Sequence, residues 1–560
     1  MEDKKDGQDG IWVSPNADLR RLHDAESACR NGSEIAKTLS HGHISRRDLV
    51  KWGLLTSAGI MAPVGGLTGC GGTALSLSQS LASPWAIKAE NAKPGTTGWQ
   101  IKHAARDREI QGFASLTSVN RGGAIGIFVD TAEPTYTVEV FRMGWYGGMG
   151  GRLMMPSVVR TGTQQPMPSP DPVTHLLECQ WDDPYVLHIP KSSDPTDWAS
   201  GVYIVKLTGG ASGKQSYVSF VVRDDERPSD LLFQSSVTTF AAYNDWGGWS
   251  LYTDPRAYMV SFNRPYRRGF GAGEFFSYEY HMVRFLEREG YDVTYWTDVD
   301  THGRGQLLLS HKGFLSVGHD EYWSWEMRDN VEAARDAGVS LGFFGANASF
   351  FQIRFEPSSP PETSDGAGNL SGASDRTIVC YKNLLDPISS NQNPPWVRKR
   401  TTVQFRQSPV NRPEDALVGV MYRSFFWQKE DLVVEDASSW VFENTGLSNG
   451  DRLPGLLGYE ADQLFRHAAP GTQRIAHSPY RNFKGESLYA DMVFYPWASG
   501  ATVVATGSMQ WNWGLDDFNT FGAHPKWTNA AVQQATRNIL NRFIATTKSA
   551  HRHESGRGPA

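Results

Sequence analysis

The chain has 560 residues and a formal net charge of −6, and its 54 Lys and Arg form no basic stripe, which argues against nucleic acid as the main partner. Charged residues make up 20% and aromatic residues 12%, with 19 Trp and 56 Gly, a composition that excludes disorder and suits a loop-rich, aromatic-lined protein of more than one domain. The four cysteines, Cys29, Cys70, Cys179 and Cys380, show neither metal-finger spacing nor a CxxC pair.

In chain order, the first signal is an address. Ser45-Arg46-Arg47-Asp48-Leu49-Val50-Lys51 has the twin-arginine pattern of a bacterial export signal. The run from Trp52 to Leu67 is only mildly apolar and too short to span a membrane. Leu67-Thr68-Gly69-Cys70 then resembles a lipoprotein processing site, with Cys70 as the lipidated residue and lipid anchor. The plain alternative is a chance Arg pair before a buried helix, and three features in the right order weigh against it. Residues 1–70 are therefore expected to be an export signal, giving a periplasmic or extracytoplasmic protein, and residues 71–98 a linker. Cleavage would leave Cys179 and Cys380, either paired or as two buried free thiols.

Residues 99–225 read as all-β. Ile125–Val129, Tyr136–Phe141, Gly201–Leu207 and Ser216–Val222 alternate or run apolar between Gly and Pro clusters, which predicts a β-sandwich. The Gly-rich aromatic loop Arg142-Met-Gly-Trp-Tyr-Gly-Gly148 interrupts it, and bracing the next domain is preferred over lining a pocket.

The pattern changes near Pro228, and residues 226–547 are predicted as a second domain with a disordered tail at 548–560. Strands are expected at Leu231–Ser235, Tyr291–Trp296, Phe314–Val317 and Val339–Phe344. Helical patterns fall between most of them: one begins near Phe275 and stops at Gly290, and another is capped by Ser324. This alternation predicts a doubly wound parallel sheet. Thr528 is expected to cap a closing helix, with Val532, Ile539, Leu540 and Phe543 on one face.

The stretch Phe314-Leu-Ser-Val-Gly-His-Asp-Glu-Tyr-Trp323 is a buried strand that stops at a polar cluster, where α/β sheets bind ligands. Its bland reading is a solvated turn with a helix-capping acid. His319 and Glu321 follow this strand, Tyr243 follows the first strand, Asn347 the fourth, and Tyr280 sits early in the helix after the first. All five converge on the carboxyl side of the sheet. Two phenols and a carboxylate are hard anionic oxygen donors, which suit trivalent iron better than zinc. The plain readings are a core aromatic for Tyr280 and a loop aromatic for Tyr243.

Several stretches resemble the large subunit of N,N-dimethylformamidase: Glu90–Trp99, Phe141–Gly148, Tyr243-Asn-Asp-Trp-Gly-Gly248, Gly318–Trp323, Gly455-Leu-Leu-Gly-Tyr-Glu-Ala-Asp462 and Gly507–Gly514. The resemblance implies a β-sandwich beside an amidotransferase-like α/β domain and a mononuclear iron held by two Tyr and one Glu. Carried onto this chain, the ligands are Tyr243, Tyr280 and Glu321, with Tyr278 close by as the alternative. His319, Asn347 and Glu460 become the neighbouring catalytic residues. The implied activity is hydrolysis of the C–N bond of a small amide, with a small subunit or a second copy of the chain as partner. A Cys amidase is excluded, because neither Cys179 nor Cys380 sits in a Gly-x-Cys-x-Gly elbow. The reading from another class is a non-catalytic exported lipoprotein that binds glycans or small ligands.

Overall fold

The computed structural model describes residues 86–358, 374–518 and 527–545. The Arg46–Arg47 pair, Cys29, Cys70, most of the expected linker and the tail lie outside the described residues.

The chain forms a mixed α/β structure in which strands outnumber helices. The first strands are β1 (Gln111–Ala114), β2 (Ser118–Asn120), β3 (Ala124–Asp130), β4 (Thr135–Met143), β5 (Gly151–Leu153), β6 (Val158–Thr161), β7 (Tyr185–His188), β8 (Gly201–Gly209) and β9 (Gln215–Arg223). They build one sheet in the order β2-β9-β8-β4-β5, with β6 also on β4, and a second in the order β1-β3-β7. Alternate side chains of both sheets enter one buried cluster: Ile125, Ile127 and Val129 from β3, Tyr136, Val138 and Val140 from β4, and Tyr203, Val205 and Leu207 from β8. The period of two in the sequence is the two-faced geometry of a strand.

A larger sheet follows, made of β10 (Leu231–Ser235), β11 (Val293–Thr297), β12 (Gly313–His319), β13 (Ser340–Ala346), β14 (Gln473–Arg481), β15 (Ser487–Pro496) and β16 (Thr502–Ala505). Its order is β11-β10-β12-β13-β16-β15-β14. The first five in that order run parallel. The expected all-parallel sheet is corrected at its far edge, where β15 pairs antiparallel with both β16 and β14. The reason is chain length: the links 482–486 and 497–501 are tight turns, whereas a parallel return needs a crossover of a dozen or more residues.

Every residue of β10 to β13 is buried, as strands covered on both faces must be. Leu231, Phe233, Leu315 and Val317 face a cluster shared with helices α1 (Tyr280–Glu289) and α3 (Ala530–Ala545). Leu232, Phe314, Leu341 and Phe343 face the cluster of α2 (Trp325–Asp336). Gly290, at φ 74°, ends α1, and Ser324 caps α2 by accepting from the Met327 N–H at 3.1 Å. The cap of α3 is Asn529 rather than Thr528, because its Oδ1 accepts from Ala531 and Val532. The expected helix start at Phe275 is a π-helical turn, Phe275–Glu279, that precedes α1.

The Gly-rich loop after β4 braces this second layer. Arg142 forms a two-pronged pair with Glu287 of α1 at 2.7 and 2.9 Å, and both side chains are fully buried. Tyr295 and Asn91 donate to the same carboxylate. Gly144 packs against it, where a Cβ would lie 2.2 Å from Glu287 Oε2. Cys179 and Cys380 are buried free thiols.

Candidate functional site

The site forms where β12 ends. Gly318 takes φ 76°, and a Cβ there would sit 2.5 Å from the Cβ of Tyr278. Glycine therefore lets the strand end press against the π-helical turn. The three polar residues that follow then divide. Asp320 points away from its neighbours, with Oδ2 accepting from Ser316 and Gln234 at 2.7 Å each. His319 and Glu321 take the other side. The Glu321 N–H donates to Thr239, and its carbonyl accepts from Phe350, so the residue is held by two neighbouring segments.

Tyr243 sits at the end of the short helix Val237–Ala242 that follows β10. Its hydroxyl donates to Glu321 Oε2 at 2.8 Å. Beyond it the chain turns through Gly247 and Gly248, at φ 75° and 91°. The Leu251 N–H then bonds back to the Ala242 carbonyl. This return lays Tyr252 on Tyr243 with ring centroids 4.1 Å apart. The Tyr252 hydroxyl is 2.8 Å from that of Tyr243 and 2.9 and 3.0 Å from the two Glu321 oxygens. Two phenols and one carboxylate thus bring their oxygens together. Tyr322 donates to Tyr252, and the Lys382 ammonium lies 3.2 Å from the Tyr252 ring centroid.

His319 Nδ1 is 3.1 Å from Glu274 Oε2, and Arg268 donates to the other oxygen of Glu274 at 2.6 Å. Its Nε2 lies 3.3 Å from Glu321 and 3.4 Å from Glu460, but in hydrogen-bonding geometry with neither. Asn347, at φ 61°, donates its backbone N–H to Asp462, which follows Glu460 in the strand Glu460–Gln463. His319 Nε2, Glu460 Oε2 and Asn347 Oδ1 are all buried without a hydrogen-bond partner.

Burial disfavours charge on His319, yet the charge of Glu460, the contact with Glu274 and the close carboxylate of Glu321 hold the imidazole well above its ordinary value. Burial raises Glu460, against the pull of His319. For Glu274 burial is outweighed by His319 and Arg268, and the carboxyl is lowered. Burial, reinforced by Glu321, raises both Tyr243 and Tyr252 well above an ordinary phenol. Burial also pushes Asp462 up to about 7.

The structure brings Tyr243, Glu321, His319 and Glu460 together and sets Asn347 beside them. It places Tyr280 elsewhere, which corrects the expected grouping. That hydroxyl donates to the Gly150 carbonyl at 2.6 Å, and the ring packs edge-on to Trp99 and Phe518. The π-helical turn shifts the phase of the helix, so Tyr278 rather than Tyr280 approaches His319, with centroids 6.4 Å apart. Tyr252, Glu274 and Arg268 were missed in the sequence. The Gly-Gly pair before Tyr252 was the available signal for its return.

Among the described residues no group of three or more His, Cys, Asp or Glu has metal-holding geometry. A metal here would therefore depend on the phenol oxygens. Those oxygens and Glu321 form a hard donor set, and the unpaired atoms of His319, Glu460 and Asn347 border it. The residues fit a hard trivalent ion.

Residues 137–529 match the family described as "N,N-dimethylformamidase beta subunit-like, C-terminal". An N,N-dimethylformamidase beta subunit from Alcaligenes sp. is 22% identical over 331 residues, covering 52% of this chain and 40% of that protein. The beta subunit from Paracoccus aminophilus is 21% identical over 333 residues, with the same coverage. The match thus spans about two fifths of the length of these curated relatives.

Proposed function

This chain belongs to the N,N-dimethylformamidase beta subunit-like family, and from that premise we propose that it is an exported hydrolase of the C–N bond in a small linear amide. The observation that carries the proposal is the meeting of Tyr243, Tyr252 and Glu321 oxygens within 2.8 to 3.0 Å beside the His319 ring. Tyr243, Tyr252 and Glu321 would hold a ferric ion, whose chemistry is to polarise a carbonyl and lower the pKa of water. Tyr252 takes the place that the family resemblance assigned to Tyr280.

The protein groups divide the proton work. Glu460, raised by burial, accepts a proton from the attacking water. His319, held protonated by the carboxylates around it, donates from Nε2 to the leaving nitrogen. Glu274, steadied by Arg268, fixes the ring by its contact at Nδ1. Asn347 offers its unpaired Oδ1 to the water. Water adds across the C–N bond, leaving a carboxylic acid and an amine.

The proposal extends to the family's architecture, a β-sandwich beside an amidotransferase-like domain. The shared core of the two N-terminal sheets and the helix-covered central sheet support it. The relatives' designation as beta subunits supports a partner, either a small subunit or a second copy. The twin-arginine pattern and Cys70 support an extracytoplasmic, lipid-anchored location. Incubation of the iron-loaded protein with formamides and acetamides of increasing N-substitution tests the activity. Acid and amine should appear in equal amounts from at least one of them, and no release across the series would end the proposal.

A further inference from the structure

The buried arginines of this chain fall into two groups. Arg142, Arg223, Arg284, Arg328 and Arg335 each lie within 3.0 Å of a carboxylate oxygen, on Glu287, Asp225, Asp516, Glu332 and Asp336 respectively. Arg264 and Arg376 are 1% and 5% exposed. Among the described residues neither has a carboxylate within ion-pair distance. These two line the same cavity, of about 30 Å³, between the N-terminal sheets and the segments that lead to the site. Its wall also carries the Tyr266 hydroxyl group's residue and the apolar rings of Phe240, Phe262 and Phe275.

The hydrogen bonds of the pair are incomplete. The Nη atoms of Arg264 donate to backbone carbonyls, chiefly Trp249 at 2.7 Å and Asn244 at 2.8 Å, while its Nε is buried with no partner. Arg376 uses Nε and Nη2 on Asn263 Oδ1 and Nη2 on the Ala114 carbonyl. Its Nη1 makes no hydrogen bond among the described residues. Carbonyl dipoles soften these charges but do not neutralise them. A guanidinium does not lose its proton at any working pH, and a buried charge without a counter-charge is costly. Burial pulls both groups down to about 10, offset only in part by Tyr266 and by the more distant carboxyls of Asp245 for Arg264 and Glu178 for Arg376.

We propose that this cavity is a binding site for a small monovalent anion, held between the guanidiniums of Arg264 and Arg376. Its volume decides the class. Pockets for cofactor-sized ligands are roughly ten times larger, so a nucleotide or sugar phosphate is excluded. Chloride, bromide, nitrate or a one-carbon carboxylate has the right size, and the planar oxyanions also match the guanidinium fork.

The experiment uses the purified full chain in gluconate, a monoanion too bulky to enter, at constant ionic strength. Replacing gluconate by nitrate should raise Tm saturably. Arg376→Gln should weaken the nitrate dependence by about tenfold or more, whereas the same dependence in that variant would place the anion elsewhere and overturn the proposal. Wild-type crystals soaked in bromide supply a readout that does not require a variant to fold. An anomalous peak between Arg264 and Arg376 supports the site. Superimposable nitrate and gluconate melting curves, or bromide-soaked crystals with no peak there, would refute it.

Discussion

The hydroxyls of Tyr243 and Tyr252 lie 2.8 Å apart on stacked rings, and both reach the carboxylate of Glu321. Burial holds each phenol protonated well above its ordinary range. Two phenolates beside a carboxylate are therefore stable together only around a multivalent cation. On the proposed function, the hydrogen-bonded triad and a metal set would be two protonation states of the same three side chains.

Tyr280 separates packing from chemistry. Tyr280→Phe removes one of two hydrogen bonds to the buried Gly150 carbonyl, which keeps the Gly144 N–H, so stability should fall by about 0.5–1.5 kcal/mol. Urea denaturation measures that loss. Metal content should not change, and a variant that lost its metal would return Tyr280 to the ligand set.

His319 is assigned to proton transfer. His319→Ala should lower the amide hydrolysis rate by about 10²-fold or more while keeping the metal. Metal loss in that variant would make the histidine a ligand. Glu274 is a positioning residue whose contact helps to keep the imidazole charged. In the proposed mechanism the acid form of His319 is the active one, so rate should fall as pH rises through its pKa. Glu274→Gln removes part of the support for that charge, and the alkaline limb of the pH–rate profile should move to lower pH. An unmoved limb would rule out this role.

Glu279, in the π-helical turn behind the site, predicts a pH dependence of stability. Burial pushes its carboxyl from 4.5 up to about 8, although Ser235 and Ser236 donate to it. Between those values the folded protein holds a proton that the unfolded chain has released. The unfolded state then binds fewer protons, so this group makes stability fall as pH rises from about 4.5 to about 8. Glu279→Gln should flatten that part of the curve, measured as denaturation midpoints across the range. An unchanged slope would mean that the carboxyl titrates normally.

The pair between Arg142 and Glu287 joins the N-terminal sheets to α1 with both side chains out of water. Arg142→Met leaves Glu287 buried and uncompensated, and stability should drop by about 3–5 kcal/mol. A loss below 1 kcal/mol in denaturant titration would contradict the cost assigned to the uncompensated charge.

What was legible in the sequence followed from local rules. The strand Phe314–Val317, its glycine and the polar pair His319 and Glu321 could be read directly, as could the caps at Ser324 and Gly290. What was hidden depended on tertiary geometry. A single π-helical turn at 275–279 changes the helical phase just before Tyr280, and periodicity carries no mark of it. Tyr252 reaches Tyr243 only because two glycines reverse the loop, and Glu274 meets His319 from 45 residues away. The antiparallel edge was masked because β14 to β16 have the same apolar strand composition in either direction, while the short links between them decide it.

The most direct measurement is iron content with the visible spectrum of purified, active protein, for the parent and for Tyr252→Phe. Phenolate is easily oxidised and ferric iron easily reduced, so the pair absorbs visible light, whereas zinc gives no such band. The account predicts about one iron per chain, a visible band, and loss of both band and activity in Tyr252→Phe with Tyr280→Phe still coloured. A colourless, iron-free protein with full amide hydrolase activity would contradict it.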